Sequence, residues 1–127
     1  MPRLDTVLLR HETSVGSHYD WLLDRPATLE GPAPRLWTAR TGWPSWFWVA
    51  AGQWQLQVIG DHRREFLDYE GDLTSGRGTV KRVDSGSFDP LLWTADRIVV
   101  DLAMGACRGP VQLDRFHGDC WQATLDP

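Results

Sequence analysis

The residues of this chain best equipped for chemistry come early: His11, and then His18-Tyr19-Asp20 seven positions on. On a β-strand, side chains two apart share a face, so His18 and Asp20 project together. The preceding segment, Thr6-Val-Leu-Leu-Arg-His11, also reads as a strand, and the short glycine-containing stretch between them can close a hairpin. That places His11 beside the other two. Two imidazoles and one carboxylate suit a borderline-to-hard divalent cation such as manganese, iron or zinc, with coordination positions left for substrate. The same spacing also suits a structural His–Asp pair at a strand end, and spacing alone leaves both readings open.

A second stretch runs from Gly60 to Val80. His62, Arg63 and Arg64 are expected directly after a strand, followed by Asp68-Tyr-Glu-Gly71 and a glycine-rich turn into Thr79-Val80. Loops held by a rigid sheet commonly carry function. A histidine beside two arginines can hydrogen-bond a phosphoryl oxygen while the guanidiniums offset its charge. The competing reading is a solvated, charged turn.

The elements that must position these residues announce themselves by alternation. Gln53–Val58 sets Trp54, Leu56 and Val58 on one face and glutamines on the other. Segments 97–102, 110–115 and 121–125 repeat the pattern, separated by turn signals such as Met104-Gly105, Arg108-Gly109-Pro110 and His117-Gly118-Asp119. No amphipathic helix of three turns stands out. The expected fold is all-β: a compact antiparallel barrel or sandwich with few helical turns. The chain has eight tryptophans, with Trp37, Trp43, Trp46 and Trp48 close together. They could stack on unpaired bases, but a core of large rings is the simpler expectation. Trp46 and Trp48 share strand parity and are expected to face inward; Trp43, between Gly42 and Pro44, is the one expected to be exposed.

The 127 residues are read as a single domain, 1–127. No apolar run is long enough to cross a membrane and no signal sequence is visible, so a cytoplasmic protein is expected. Cys107 and Cys120 are expected to be reduced, semi-buried thiols. A net charge of −4 argues against a generic nucleic-acid coat but leaves room for a local positive cleft. Lys81 is the only lysine among 13 basic residues. Arginine suits bidentate phosphate contacts, although the bias follows equally from base composition.

The ordered set of pieces is more specific than any one of them. His11, His18-Tyr19-Asp20, Leu36-Trp37, Asp61-His62, Tyr69-Glu70-Gly71 and Gly78-Thr79-Val80, with Val100–Leu102, Gly105, Gly109 and Leu113–Arg115 behind them, resemble the 3′-phosphoesterase domain of bacterial DNA ligase D and its stand-alone relatives. The resemblance spans roughly residues 6 to 125. It implies a compact β-barrel that depends on manganese, with zinc or another divalent ion as alternatives. The implied activity is DNA end processing in repair: removal of a terminal 3′-ribonucleotide and then of the 3′-phosphate. His11, His18 and Asp20 would ligate the metal, and His62 would contact the scissile phosphate opposite it. Arg40, Arg63, Arg64 and Arg77 are the candidate phosphate and nucleic-acid contacts. The implied partners are 3′ ends of primer-template DNA or DNA/RNA and a ligase or polymerase of an end-joining system, with no membrane and a monomeric chain.

The departures lie in the phosphate shell. Leu22 stands where the family has an arginine, Phe66 where it has a tyrosine, Gly60 where it has an acid, and Thr41, beside Arg40, where it has a lysine. The first histidine is one residue further from His-Tyr-Asp, and the glycine loop around Ser75–Gly78 is short. Losing one such donor costs about a hundred- to a thousand-fold in rate. The expectation is therefore a weak or altered phosphoesterase, in which Leu22→Arg should raise activity. The alternative is a non-catalytic module that binds a DNA end or phosphate in a repair complex.

Overall fold

The computed structural model describes residues 3–26 and 35–126. Nine strands and one short helix follow in order: β1 (Leu4–Thr13), β2 (Gly16–Asp24), β3 (Arg35–Thr41), α1 (Ser45–Ala51), β4 (Gln53–Arg63), β5 (Gly71–Asp72), β6 (Thr79–Trp93), β7 (Arg97–Met104), β8 (Arg108–His117) and β9 (Cys120–Leu125). All pairings are antiparallel, in the order β1-β2-β3-β4-β9-β8-β7-β6, and β6 returns to pair with β1. The sheet is thus a closed eight-stranded barrel, with two-residue β5 laid along the start of β6. Closure satisfies the main-chain groups that an open sheet would leave along its edges. The alternating segments at 53–58, 97–102, 110–115 and 121–125 all lie within strands of this barrel.

Alternation fails over Thr6–Leu9 and Trp21–Leu23 because these strands are covered on both sides. One parity points into the barrel: Leu8, Trp21, Leu23, Trp37, Trp54, Phe88, Val100 and Trp121 belong to the main core. The opposite parity, Val7, Leu9, Leu22, Leu36 and Val80, forms a second apolar cluster on the outer face. The crossover between β4 and β6 lies over it, contributing Phe66, Leu67 and Leu73 from around two 3-10 turns at Arg64–Leu67 and Thr74–Gly76.

The tryptophans divide between core and surface. Trp48 stacks on Trp54 with ring centroids 4.5 Å apart, and Trp21 lies 4.7 Å from Trp48. Such aromatic pairs contribute about 0.5–1.5 kcal/mol each beyond the area they bury. Trp46, expected inward, is instead 55 % exposed. The reason is that 45–51 is a helix, so Trp46 and Trp48 lie on different faces. The helix is bracketed by Pro44 and by Gly52, whose φ of 75° and N–H bond to the Trp48 carbonyl close the C-terminus. Trp43 is 47 % exposed, as expected.

β4 is longer than its alternating pattern. It runs through a register shift to Arg63, so His62 and Arg63 lie within the strand and not in a loop after it. Cys107 is buried and Cys120 exposed, and both are free thiols. No helix among the described residues is long and apolar enough to cross a membrane.

Candidate metal centre

The β1–β2 hairpin turns on two residues, with Thr13 opposite Gly16, and this fixes the register that sets His11 directly across from His18. The Thr13 hydroxyl donates to the Gly16 carbonyl at 3.0 Å and pins the turn. Asp20, two residues beyond His18, lies on the same outer face, between Leu9 on β1 and Arg40 on β3. The three side chains converge so that one ligand atom from each lies within 4.8 Å of the others.

The distances have the scale of a coordination shell. His11 Nδ1 lies 3.2 Å from His18 Nε2 and 3.6 Å from Asp20 Oδ2, and His18 Nε2 lies 3.2 Å from Asp20 Oδ1. Ligands bound at about 2.1 Å are separated by about 3.0 Å in octahedral and about 3.4 Å in tetrahedral geometry. The rings meet edge to face, with their planes 74° apart.

The tautomer of His11 follows from its other nitrogen. His11 Nε2 lies 2.7 Å from the carbonyl of Arg77. A carbonyl only accepts, so Nε2 carries the proton and the neutral ring presents the Nδ1 lone pair to the cluster. A backbone carbonyl orienting a metal-ligating imidazole in this way is a recurrent arrangement. It depends on Gly78. A Cβ there would sit 1.9 Å from the Glu12 carbonyl oxygen, and the backbone has φ of +96°. Glycine is what lets the crossover approach β1 closely enough to offer the Arg77 carbonyl.

Electrostatics favour the form that ligates. Burial pushes the His18 imidazole below its usual range; the Asp20 carboxylate opposes this, while Arg40 and His11 reinforce it. Asp20 is 2 % exposed, and its buried Oδ1 lies 3.2 Å from His18 Nε2 with no well-formed hydrogen bond among the described residues. A buried carboxylate oxygen with no donor is costly. Two ring nitrogens and this oxygen make a donor set that fits a divalent cation.

The four candidate phosphate arginines fare differently. Arg40, exposed and directly across from Asp20, faces the cluster and forms no ion pair among the described residues. The Arg77 guanidinium turns back to Thr74, donating to its carbonyl and hydroxyl at 3.1 Å, so the backbone and not the side chain of Arg77 meets the site. Arg64 pairs with Asp24, and Arg63 with Glu65 at 3.5 Å. His62 lies across from Leu36, whose other neighbour is Asp24, four residues beyond Asp20 on β2. That is about 13 Å along the strand and two strand spacings across from the cluster. His62 packs instead on Phe66, with ring centroids 5.3 Å apart.

Leu22 also behaves differently from its sequence-based expectation. It is 0 % exposed in the outer apolar cluster beneath Phe66 and Leu67. An arginine there would bury its guanidinium among leucines instead of presenting it to a phosphate.

Two features of the site went unread in the sequence. The Arg77 carbonyl is one, and its only signal was the Gly76-Arg77-Gly78 triplet. The other is a cavity of ≈ 490 Å³ that His18 and Arg40 line together with Trp43 and Phe116. The chain matches no family model and no curated protein sequence.

Proposed function

We propose that the protein is a metal-dependent phosphoesterase that trims nucleic-acid 3′ ends in DNA repair. The observation that supports this reading is the His11–His18–Asp20 donor set, gathered around a buried carboxylate oxygen that lacks a well-formed hydrogen bond among the described residues. His11 Nδ1, His18 Nε2 and the Asp20 carboxylate would hold the ion, for which the resemblance favours manganese. Once bound, such an ion polarises a phosphoryl oxygen and lowers the pKa of a water molecule. Arg40 would bind a phosphoryl oxygen from the adjacent strand, offsetting charge that develops there. The Arg77 carbonyl would keep His11 in its ligating tautomer. The proposed setting is the cytoplasm, beside a ligase or polymerase of an end-joining system.

A second reading rests on the placement of Leu22 and His62. With Leu22 sealed and His62 two strands away from Asp20, Arg40 is the one candidate arginine left facing the cluster among the described residues. That arrangement suits a module that binds a 3′ end without cleaving it.

A labelled primer carrying a 3′-phosphate or a 3′-ribonucleotide, incubated with manganese, tests the two. Slow, metal-dependent release of phosphate or nucleoside, lost in Asp20→Asn, is the outcome expected of the enzyme. If His62 also contacts the phosphate, His62→Ala lowers turnover about a hundred-fold while metal affinity holds. Retention of the end with no product, at high protein concentration and with bound metal verified, selects the binding module.

A further inference from the structure

Trp43 and Phe116 lie outside the His11–His18–Asp20 cluster, yet they line a cavity that His18 also lines. The cross-strand register explains its position. Arg40 on β3 lies across from Gln57 on β4, and Gln57 across from Cys120 on β9, so one row of the outer face leads away from Asp20. Gln55, two residues along β4 from Gln57, lines the same ≈ 490 Å³ cavity. Its floor thus carries a cation and two amides. Its aromatic lining is Trp43, 47 % exposed, and Phe116, 59 % exposed.

Trp43 is held in place before any ligand arrives. Phe47 stacks on its ring at 4.7 Å with planes 16° apart. The Trp43 carbonyl accepts from Trp48 Nε1 at 2.8 Å, tying the loop to a buried helix residue. A ring that is ordered on one face and open to solvent elsewhere is a stacking surface whose ordering entropy is already lost. Amides flanking it can meet the polar edges of a base, and Arg40 can meet a phosphate.

We propose that this groove receives the unpaired terminal nucleotide of a single-stranded 3′ end. The base stacks on Trp43, and its phosphate lies at Arg40 beside His18. The substrate class is therefore a frayed or single-stranded end, not the blunt terminus of a duplex. The inference rests on the nucleic-acid-end reading above but not on catalysis, and it holds for either the enzyme or the binding module.

The test is anisotropy of a fluorescently labelled single-stranded oligonucleotide with a 3′-phosphate, in chelator and at low salt, so that no turnover enters the measurement. Trp43→Ala should weaken binding about 10- to 100-fold, the scale of one lost base–aromatic stack. Trp43→Phe should recover most of it, and Phe116→Ala, an exposed change independent of the Trp43 loop, should weaken it less. Trp46→Ala, which removes an exposed ring outside the groove, should leave it unchanged. An oligonucleotide whose terminal residue is abasic should bind the native protein as weakly as the intact one binds Trp43→Ala, with no further loss when the two are combined. Arg40→Gln should lower the dependence of log affinity on log salt by about 0.7, one single-strand phosphate contact. Equal affinity for intact and abasic ends overturns the proposal, as does binding unaffected by Trp43→Ala or lost equally in Trp46→Ala. No binding by the native protein also overturns it. The phosphoesterase reading fails by a separate result, the absence of product from the manganese assay.

Discussion

Two aspartates on the barrel, Asp20 on β2 and Asp84 on β6, show how differently one side chain can be used. Asp84 is saturated. Its Oδ1 accepts from the backbone N–H groups of Ser85 at 2.8 Å and Gly105 at 3.0 Å. Its Oδ2 accepts from Ser45 Oγ at 2.5 Å and the Ala106 N–H at 3.1 Å. One carboxylate therefore ties β6 to α1 and to the turn between β7 and β8, and with burial it helps push the nearby Cys107 thiol up to about 11. Asp20 is more deeply buried, yet one of its oxygens has no well-formed hydrogen bond among the described residues and the other faces an imidazole lone pair. A fully bonded carboxylate holds a fold together; a buried, under-bonded one keeps the capacity for a further partner.

The largest expected effects come from removing each carboxylate in turn. Asp20→Ala should abolish divalent binding in calorimetric titration, while the metal-free protein melts no lower than the native one, because an unsatisfied buried charge has gone. Stoichiometric binding that persists in this variant would place the ion elsewhere. Asp84→Ala should do the reverse. It strands the Ser45 hydroxyl and the Ala106 amide, and should lower stability by about 2–3 kcal/mol in urea unfolding. Its metal affinity should stay within about two-fold of native, below the ten-fold that 1.4 kcal/mol would represent. Joint loss of stability and metal affinity in either variant would erase the distinction.

Gly78→Ala forces the crossover away from β1 and withdraws the Arg77 carbonyl from His11. Metal affinity should fall about ten-fold, the low end for losing a group that orients a ligand. An unaltered affinity alongside reduced stability would show that His11 does not need that carbonyl.

The smallest effect expected is a dependence on pH. His18 is held below its usual range in the folded protein, so the unfolded chain takes up its proton first as pH falls. Stability without metal should therefore be full above the unfolded imidazole pKa of about 6.5 and decline as pH drops through the lower folded value. Melting curves between pH 7 and pH 5 should show this slope, reduced in His18→Gln. Metal binding should weaken over the same range because the imidazoles must be neutral to ligate. A rise in metal-free stability on acidification would reverse the sign assigned to His18.

How much of this was legible in the sequence depended on how local the cause was. The triad could be read because His18 and Asp20 are two apart on one strand and a tight turn brings His11 opposite. The four alternating segments could be read because a half-buried strand writes its two faces into every second residue. Strand parity fails for Trp46 and Trp48 because the seven residues of the helix at 45–51 are too few to write a helical period into the sequence. Its signal lay in its ends, Pro44 and Gly52. His62 was misplaced because a register shift in β4 carried the strand past Gly60, and irregular registers leave no periodic trace.

The sequence by itself determined an all-β chain, a hairpin and the three side chains that meet across it, because turn length and strand parity act over a few residues. Tertiary structure alone decided the rest. Pairing of β1 with β6 closed the barrel and brought the Arg77 carbonyl, 66 residues away in sequence, onto His11. Packing of the crossover sealed Leu22 within the outer apolar cluster. Whether a carboxylate is a brace or a ligand depends on which donors reach it, and those donors come from parts of the chain that meet only when the barrel closes.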